Sequence, residues 1–382
     1  MKNIFVIIPS FNEETNIFFV TKTIDQGLTQ FFHQYPRYLI NADSNSHDNT
    51  IKIFKSTTTN SIKISLKCQK GKIGKGYGLL SGFNYGYKNS GEYFLTIDAD
   101  LKSIKPIWIN KLLDPIMHET IDYVAPLYSR NRYEGNATNH FSSPIIYACF
   151  GYDIIQPIAG DFALSRRLVE AVINNFSIEY DFLYGVDSII SLTALLENYK
   201  IKQQPLDKKI HSPSFGKIIP IFTSEACSTF NLLNKNRKKI LTFIKTNKSK
   251  NLYSNQIADE KYVSKPNINT IDKLHDFSLA EIKSYRYKDL LGVDFHLLLK
   301  EQNFSIDLKL WTDIITEYLF IILTKKITYK EIVTLTKSLL PLYLLRVFSY
   351  FQEIDNKTAG EIDIIIKSQK KNIYHYPPKL QH

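Results

Sequence analysis

The sequence predicts an α/β fold in which helices cover both faces of a largely parallel sheet, followed by a helical C-terminal region. Two observations support this prediction. Short apolar runs alternate with amphipathic stretches in the N-terminal half, and this alternation stops near residue 215. Repeated strand–helix units with short connections give parallel strands, because each helix packs back onto the sheet before the next strand begins.

Five short apolar runs have the length and composition of β-strands. The run IFVIIP at residues 4–9 is apolar throughout, which is typical of a strand buried on both faces. The other predicted strands are RYLINAD (37–43), IKISLKC (62–68), EYFLTIDAD (92–100) and DYVAPLYS (122–129). Helical patterns fill the intervals between them. Asn12 can cap the first helix, and Pro106 stands near the start of another, where proline is favoured.

Beyond residue 215 the pattern is helical. A long amphipathic helix ends in KTNKSKN, and a polar stretch at 251–270 has the composition of a linker or long loop. Three more helices are predicted after it. Their signals are two capping boxes, Ser278 with Glu281 and Thr328 with Glu331, and a helix interruption at Pro341. We therefore predict a sheet domain at residues 1–230 and a helical region at 231–382.

Charge and cysteine content limit the classes of partner and compartment. The formal charge of +11 and the pI near 9.2 favour anionic partners, but no nucleic-acid-binding motif is present. Cys68, Cys149 and Cys227 form no C-x-x-C pair, which indicates a reducing compartment. The N-terminus lacks the pattern of a signal peptide, and no apolar stretch approaches membrane-spanning length. These features predict a cytoplasmic protein.

Polar segments follow four of the predicted strands, and they predict a nucleotide site at the carboxyl edge of the sheet. The segments are PSFNEE, NADSNSHDNT, GKIGKGYGLLSGF and TIDADL. Asp43 and Ser44 can hydrogen-bond a base or ribose. Lys75 lies between two glycines that would let the backbone approach a phosphate, although neither the P-loop nor the dinucleotide spacing is present.

Asp98 and Asp100 are two residues apart at the end of a predicted strand. On an extended segment their carboxylates would point to the same face, where they would repel each other without a cation between them. This pattern predicts a divalent metal that bridges a diphosphate. A solvated acidic turn is the alternative interpretation.

These segments together resemble the nucleotide-sugar half of family-2-like glycosyltransferases of the A-type fold. Three later segments, QPIAGDFALSRRLV, YGVDSIISL and DKKIHSP, are similar to those of glucosyl-3-phosphoglycerate synthases and mannosylglycerate synthase, which are retaining enzymes. The resemblance covers roughly residues 1–230. It implies a Rossmann-like, nucleotide-sugar-binding mixed sheet with a helical C-terminal segment.

The resemblance implies a role for particular residues. Asp100 and His211 would hold Mn²⁺ or Mg²⁺, and imidazole favours Mn²⁺. Asp187 would lie beside the anomeric carbon, so that Asp187 and Asp98 are the predicted catalytic residues. The predicted contacts to the donor are Pro9, Glu13, Asp43, Ser44, Lys75, Asp98, Ala159 and Gly160.

The predicted acceptor segment departs from the phosphoglycerate-using relatives. Their G-R-V-T stretch is replaced by Gly135, Asn136, Ala137 and Thr138, which removes an arginine that can bind carboxylate or phosphate in a bidentate way. Pro213 stands where a polar acceptor ligand is expected. Asp187 stands where the phosphoglycerate-using relatives have a glutamate, and in this it matches mannosylglycerate synthase. Unphosphorylated glycerate is therefore an open alternative to 3-phosphoglycerate.

The predicted function is metal-dependent, retaining transfer of a hexose from UDP-glucose or GDP-mannose to a small glycerate-type acid. The rival is an enzyme of the same fold that acts on a polyprenyl phosphate or cell-envelope glycan at a membrane surface. A nucleotide-sugar sensor and a nucleotidyltransferase are further alternatives, although PSFNEE is acidic where a nucleotidyltransferase would be basic. No nucleic-acid partner is predicted. A homodimer through the C-terminal helices and a peripheral membrane contact stay open.

Overall fold

The structure is a computed structural model, and it describes residues 2–212, 214–246, 265–285, 287 and 305–375. The chain forms two compact units. Unit 1 comprises Met1–Ser129 and Gln156–Pro213, and unit 2 comprises Arg130–Ile155 and Ser214–His382. These units differ from the predicted domains at residue 230, because an internal segment of the N-terminal half packs with the later helices. Phe222, on the first of those helices, stacks on Tyr343 with ring centroids 3.8 Å apart.

Unit 1 contains a seven-stranded sheet with the strand order β3-β2-β1-β4-β6-β5-β7. The strands are β1 (Asn3–Ser10), β2 (Arg37–Asp43), β3 (Ile62–Lys67), β4 (Gly91–Thr96), β5 (Tyr123–Ser129), β6 (Ala163–Ser165) and β7 (Ile201–Lys208). The short β6 is antiparallel to both β4 and β5, whereas the other pairings are parallel. The α/β prediction with a mixed sheet is confirmed. Sequence patterns predicted β1–β5 but not β6 or β7.

Helices of unit 1 connect these strands: α1 (Ile17–Phe31), α2 (Thr50–Ser56), α3 (Lys75–Lys88), α4 (Pro106–His118), α6 (Arg166–Asn175) and α7 (Val186–Leu196). Pro106 is the first residue of α4, as predicted. The first helix begins later than predicted. Asn16 is the N-cap of α1, whereas Asn12 adopts a left-handed conformation with φ of 56°. The cause is a loop in which Glu13 N–H donates to Thr50 Oγ1.

The described part of unit 2 is helical, which confirms the predicted C-terminal region. A π-helical turn (Thr138–Ser142) leads into α5 (Ser143–Phe150). The later helices are α8 (Ile218–Lys235), α9 (Arg237–Thr246), α10 (Ile268–Ile282), α11 (Leu308–Thr324), α12 (Tyr329–Ile354) and α13 (Ala359–His375). Most of the predicted linker, residues 251–264, lies outside the described residues.

Two local predictions in unit 2 are wrong. Ser278 lies inside α10, where its hydroxyl donates to Leu274 O, so it caps no helix. Pro341 does not interrupt α12, because buried neighbours such as Leu339 and Leu342 hold the helix in the core despite the missing hydrogen bond. By contrast, the capping box of Thr328 and Glu331 is confirmed.

Among the described helices, α12 alone is long and apolar enough to cross a membrane by length and composition. The prediction that no apolar stretch approaches that length is therefore wrong. Within the protein, 78% of this apolar window is buried, as it is in a core helix. The length of α12 is thus accounted for by packing in unit 2.

Candidate active site

One edge of the sheet in unit 1 gathers charged residues from five separate segments. The parallel strands β1, β2 and β4 end at this edge, and the antiparallel β6 begins there. Helices α3 and α7 start with Lys75 at the first position and Asp187 at the second. The carboxyl edge of an open α/β sheet is where such folds bind ligands.

Lys75 forms two ion pairs at this edge. Its ammonium nitrogen lies 2.9 Å from Asp98 Oδ1 and 2.9 Å from Asp187 Oδ2. The three side chains are largely buried, with exposed fractions of 14%, 20% and 8%. The structure therefore brings together three residues that the sequence predicted for the site. Asp98 lies beyond the end of β4 and not on an extended strand, so the prediction that Asp98 and Asp100 point to the same face of a strand does not apply.

The glycines beside Lys75 allow α3 to pack closely against the turn that precedes α7. A side chain at Gly76 would place its Cβ 2.2 Å from Asp181 O, and one at Gly74 would lie 2.4 Å from Phe182 O. Gly76 N–H donates to Leu183 O at 2.9 Å. The sequence explained these glycines by the approach of a phosphate. In the structure they accommodate this chain crossing, which places Lys75 next to Asp187.

A second lysine, which the sequence analysis missed, holds Asp98 from the other side. Lys209 follows β7, and its Nζ atom contacts Asp98 Oδ2 at 3.2 Å, Asp161 Oδ2 at 2.8 Å and Ala159 O at 2.7 Å. Asp161 also accepts hydrogen bonds from Asp98 N–H at 2.8 Å and from the Tyr128 hydroxyl at 2.9 Å. Two features of the sequence could have indicated these residues. Lys209 stands two residues before His211, and Asp161 directly follows Gly160.

Three carboxyl groups and two ammonium groups share this buried cluster, so one carboxyl group is incompletely compensated. Burial raises the pKa of Asp187 and of Asp161, and the lysines offset only part of that effect. Burial acts on Asp98 in the same direction, but Lys75 and Lys209 outweigh it and lower its pKa well below the usual range. Burial would lower the pKa of Lys75, but Asp187 and Asp98 raise it.

Asp187 has one carboxylate oxygen that nothing in the described structure satisfies. Its Oδ2 pairs with Lys75, whereas its Oδ1 is buried and lacks a hydrogen-bond partner among the described residues. Leaving a buried acceptor unpaired costs on the order of 1–3 kcal/mol. A hydroxyl group from a ligand would remove that cost, which makes Asp187 the part of the cluster best prepared for a substrate.

Asp100 and His211 are joined by hydrogen bonds between their two loops. Asp100 Oδ2 accepts the N–H of Ser212 at 3.2 Å, and Lys102 N–H donates to Ile210 O at 2.8 Å. His211 Nδ1 lies 2.7 Å from Ser212 O, a contact that requires the proton on Nδ1 and leaves Nε2 as the basic nitrogen. This donor set, one carboxylate and one imidazole, fits Mn²⁺ or Mg²⁺.

Among the described residues, no three His, Cys, Asp or Glu side chains are placed so that they could hold one metal ion. A metal held by Asp100 and His211 would therefore need further ligands beyond these two side chains. Mg²⁺ commonly binds in this way, through one or two carboxylates together with water and substrate phosphates. The site is thus suited to a cation that arrives with, or binds beside, a phosphorylated ligand.

Asp43 is the last residue of β2 and Ser44 follows it, and both are buried. Both Asp43 oxygens accept hydrogen bonds, from Ser10 Oγ at 3.1 Å and from Ser46 N at 2.8 Å. Ser44 Oγ donates to Gly74 O at 2.9 Å, which ties this loop to the start of α3. Both residues position neighbouring loops, and their predicted contacts with a nucleotide stay predictions.

The other predicted donor residues occupy the same edge. Pro9 is buried in β1 beside Ala42, and Glu13 lies in the following loop, where its carboxylate accepts from Asn16 Nδ2 at 2.8 Å. Their roles toward a nucleotide stay predictions. The predicted acceptor residues Gly135, Asn136, Ala137 and Thr138 belong to unit 2, and their role also stays a prediction. Pro213 lies outside the described residues.

Gly160 packs against the carboxylate of Asp98. Its φ is +91°, and a Cβ there would lie 2.3 Å from Asp98 Oδ2. The sequence explained this glycine by close approach of a sugar, and its immediate neighbour in the structure is Asp98. Ala159 contributes its carbonyl oxygen to Lys209.

We expect Gly160→Ala to displace Asp98 and to reduce any activity of the site strongly. Gly71→Ala is the matched control, because Gly71 has a similar φ of +81° but nothing within 4 Å of a Cβ. Both variants should lose about 1–3 kcal/mol of stability from backbone strain. Thermal unfolding and turnover, measured side by side, separate the two effects. Equal activity in the two variants would contradict the assigned contact.

Comparison with known families gives one match, in the N-terminal half of the chain. Residues 5–173 match the family model described as Glycosyl transferase family 2. This match covers less than half of the chain. The predicted family and the predicted enzyme class, a glycosyltransferase, are thereby confirmed. No curated protein matches the chain.

Solved structures of glucosyl-3-phosphoglycerate synthase from Mycobacterium tuberculosis are similar to this chain. The complex with Mn²⁺, UDP and glucosyl-3-phosphoglycerate is 24% identical over 61% of this chain and 80% of that chain, with a TM-score of 0.47. The complex with Mn²⁺, UDP and phosphoglyceric acid is 24% identical over 61% of this chain and 78% of that chain, with a TM-score of 0.48. The complex with Mg²⁺ and UDP is 21% identical over 61% of this chain and 79% of that chain, with a TM-score of 0.46. Both metals that the sequence predicts occur in those complexes.

Proposed function

We propose that this glycosyltransferase moves a hexose from a nucleotide sugar to a small glycerate-type acid, with retention of the anomeric configuration and with a divalent metal. UDP-glucose is the favoured donor and GDP-mannose the second choice. The observation that carries the proposal is the buried cluster of Lys75, Asp98 and Asp187 beside the joined loops of Asp100 and His211.

The donor diphosphate fits the cationic groups of this edge. Asp100 and His211 would hold the metal, which when bound neutralises charge on the diphosphate leaving group. Lys75 is the nearest described cation to Asp187, and its ammonium group can donate to a phosphate oxygen without losing its charge. Two carboxylates that already attract Lys75 keep that ammonium group at the site before the donor binds.

The proposed catalytic roles follow from the burial of Asp98 and Asp187. A positive charge that develops at the anomeric carbon is stabilised by a nearby carboxylate, and more strongly in a buried site than in water. Asp187, with its unpaired Oδ1, takes this role. Asp98 accepts hydrogen bonds from sugar or ribose hydroxyls. In retaining transfer of this kind, the acceptor hydroxyl attacks from the face of the leaving group, and the departing phosphate takes the hydroxyl proton.

The acceptor is proposed to be glycerate, with 3-phosphoglycerate as the alternative. Thr138 is kept from the pattern of the phosphoglycerate-using relatives, but their arginine is replaced by Asn136, which cannot form a bidentate pair with a phosphate. A polyprenyl phosphate or envelope-glycan acceptor gains no support from α12, since most of its apolar window is buried.

A substrate panel tests the proposal. Purified protein with Mn²⁺ would be offered UDP- and GDP-sugars, each with glycerate or with 3-phosphoglycerate, and nucleotide release would be recorded. We expect release above background hydrolysis only when donor and acceptor are both present. Release of nucleotide with polyprenyl phosphate, but with neither small acid, would replace the proposed acceptor by the rival.

We expect Lys75→Ala to weaken binding of the nucleotide sugar by about 1–3 kcal/mol, the range of a charge-assisted hydrogen bond. The variant also leaves Asp98 and Asp187 with one fewer counter-charge. Isothermal titration with UDP and Mn²⁺ measures the loss. The control is Lys105→Ala, which removes an exposed lysine paired with Asp207. An unchanged dissociation constant for Lys75→Ala would show that Lys75 has no contact with the donor.

A further inference from the structure

Lys209 is more enclosed than Lys75 at this edge, and it binds both Asp98 and Asp161. Its side chain is 4% exposed, and Asp161, which it binds, is completely buried. It also lies over the Tyr128 ring, 5.2 Å from the centroid. Burying an ammonium group costs free energy unless it is fully paired, and here two carboxylates and one carbonyl oxygen pair with it.

Contacts on several sides hold the Asp98 carboxylate in one orientation. Lys75 binds Oδ1, Lys209 binds Oδ2, and Gly160 leaves no room beside the carboxylate. The main-chain N–H of Asp98 donates to Asp161, which Lys209 and Tyr128 hold in turn. A carboxylate held at both oxygens and at its own main chain has few alternative orientations.

We propose that Lys209 is a positioning residue that keeps Asp98 oriented and charge-balanced when the donor phosphates engage Lys75. This inference rests on the proposed function, in which Lys75 donates to a phosphate. Lys75 then shares its charge between the donor and two carboxylates. Lys209 reaches no phosphate in this role, and its contacts to Ala159 O and Asp161 stay unchanged through the reaction.

Lys209 also belongs to the loop that carries the predicted metal ligand. Its main-chain N–H donates to Ser129 O at 3.0 Å at the end of β5, and His211 follows two residues later. The same short segment therefore fixes Asp98 through a side chain and His211 through the backbone. This connection explains how one loop can align a sugar-binding carboxylate with a metal ligand.

The test compares Lys209→Met, which keeps the length and removes the charge, with Lys209→Arg, which restores it. We expect Lys209→Met to lower kcat about 10- to 100-fold, the loss of a charge-assisted hydrogen bond to Asp98, with a much smaller change in KM for the donor. Lys209→Arg should recover most of kcat. Lys202→Met, which removes a lysine on β7 that is paired with Glu119, should behave as wild type.

Crystal structures of the variants give a readout that does not depend on turnover. In Lys209→Met the Asp98 carboxylate should turn away from its present position, and in Lys209→Arg it should not. The proposal would be overturned if Asp98 stays in place and kcat is unchanged in Lys209→Met. It would also be overturned if Lys209→Met loses stability and kcat in parallel and Lys209→Arg recovers neither. If wild type transfers no sugar, the proposed function fails instead, while the position of Asp98 in the two variants still tests the role of Lys209.

Discussion

Replacing Asp100 by alanine is expected to abolish sugar transfer and metal-dependent binding of the nucleotide. With only Asp100 and His211 as predicted protein ligands, the loss of the one carboxylate leaves a single imidazole, which holds Mn²⁺ or Mg²⁺ poorly. The structure joins the two loops through Asp100 itself, because its Oδ2 accepts the N–H next to His211. The variant should therefore also loosen the loop that carries His211.

Titration of UDP in the presence and absence of Mn²⁺ measures the effect of Asp100→Ala apart from turnover. Wild type should bind UDP more tightly with the metal than without it, and the variant should show no difference. Asp114→Ala is the matched control, because Asp114 is a half-exposed carboxylate paired with His118 on α4. Full wild-type activity in EDTA would refute the metal requirement.

Replacing Asp187 by asparagine is expected to lower kcat by about 10²- to 10³-fold, as the removal of one preorganised electrostatic group does in other enzymes. The amide keeps the shape and a hydrogen-bonding oxygen for Lys75, but it removes the negative charge that we propose to act on the anomeric carbon. Because that charge acts mainly on the transition state, KM for the donor should change far less than kcat.

Steady-state kinetics with varied donor concentration separates the two parameters for Asp187→Asn. Glu179→Gln serves as the control, since Glu179 is an exposed carboxylate on the turn that precedes α7. The thermal unfolding midpoint of both variants verifies that the fold is kept. A large rise in KM with unchanged kcat would assign Asp187 to ground-state binding and remove it from the catalytic role.

The sequence was most informative where an apolar run ends in polar residues. β1 to β4 and their loops are predicted in this way, and so is the shared edge of Lys75 and Asp98, whereas the place of Asp187 in the site is implied by the family resemblance. β6 and β7 were missed because β6 has three residues and β7 contains the polar stretch KQQPLDK, so neither contains an apolar run. Without the antiparallel β6, the pattern of apolar runs does not indicate that Asp161 reaches the same edge as Asp98 and Lys209.

Glycines and long-range packing explain the other differences. Gly74, Gly76 and Gly160 were assigned to ligand approach, whereas each faces a neighbouring chain segment or Asp98. A single sequence shows that a position requires glycine but not which atom occupies the space. Pro341 and the boundary between the units depend on helix packing in unit 2, which overrides the local signals that the sequence provides.

The anomeric configuration of the product tests the central claim most directly. Wild-type protein would be supplied with Mn²⁺, an α-linked nucleotide sugar and glycerate, and the anomeric signal of the product would be read by proton NMR. Attack on the leaving-group face, with Asp187 stabilising the developing positive charge, predicts an α-linked product that forms only with the metal present. A β-linked product would contradict the retaining mechanism and would favour an inverting enzyme acting on the polyprenyl-phosphate class of acceptor.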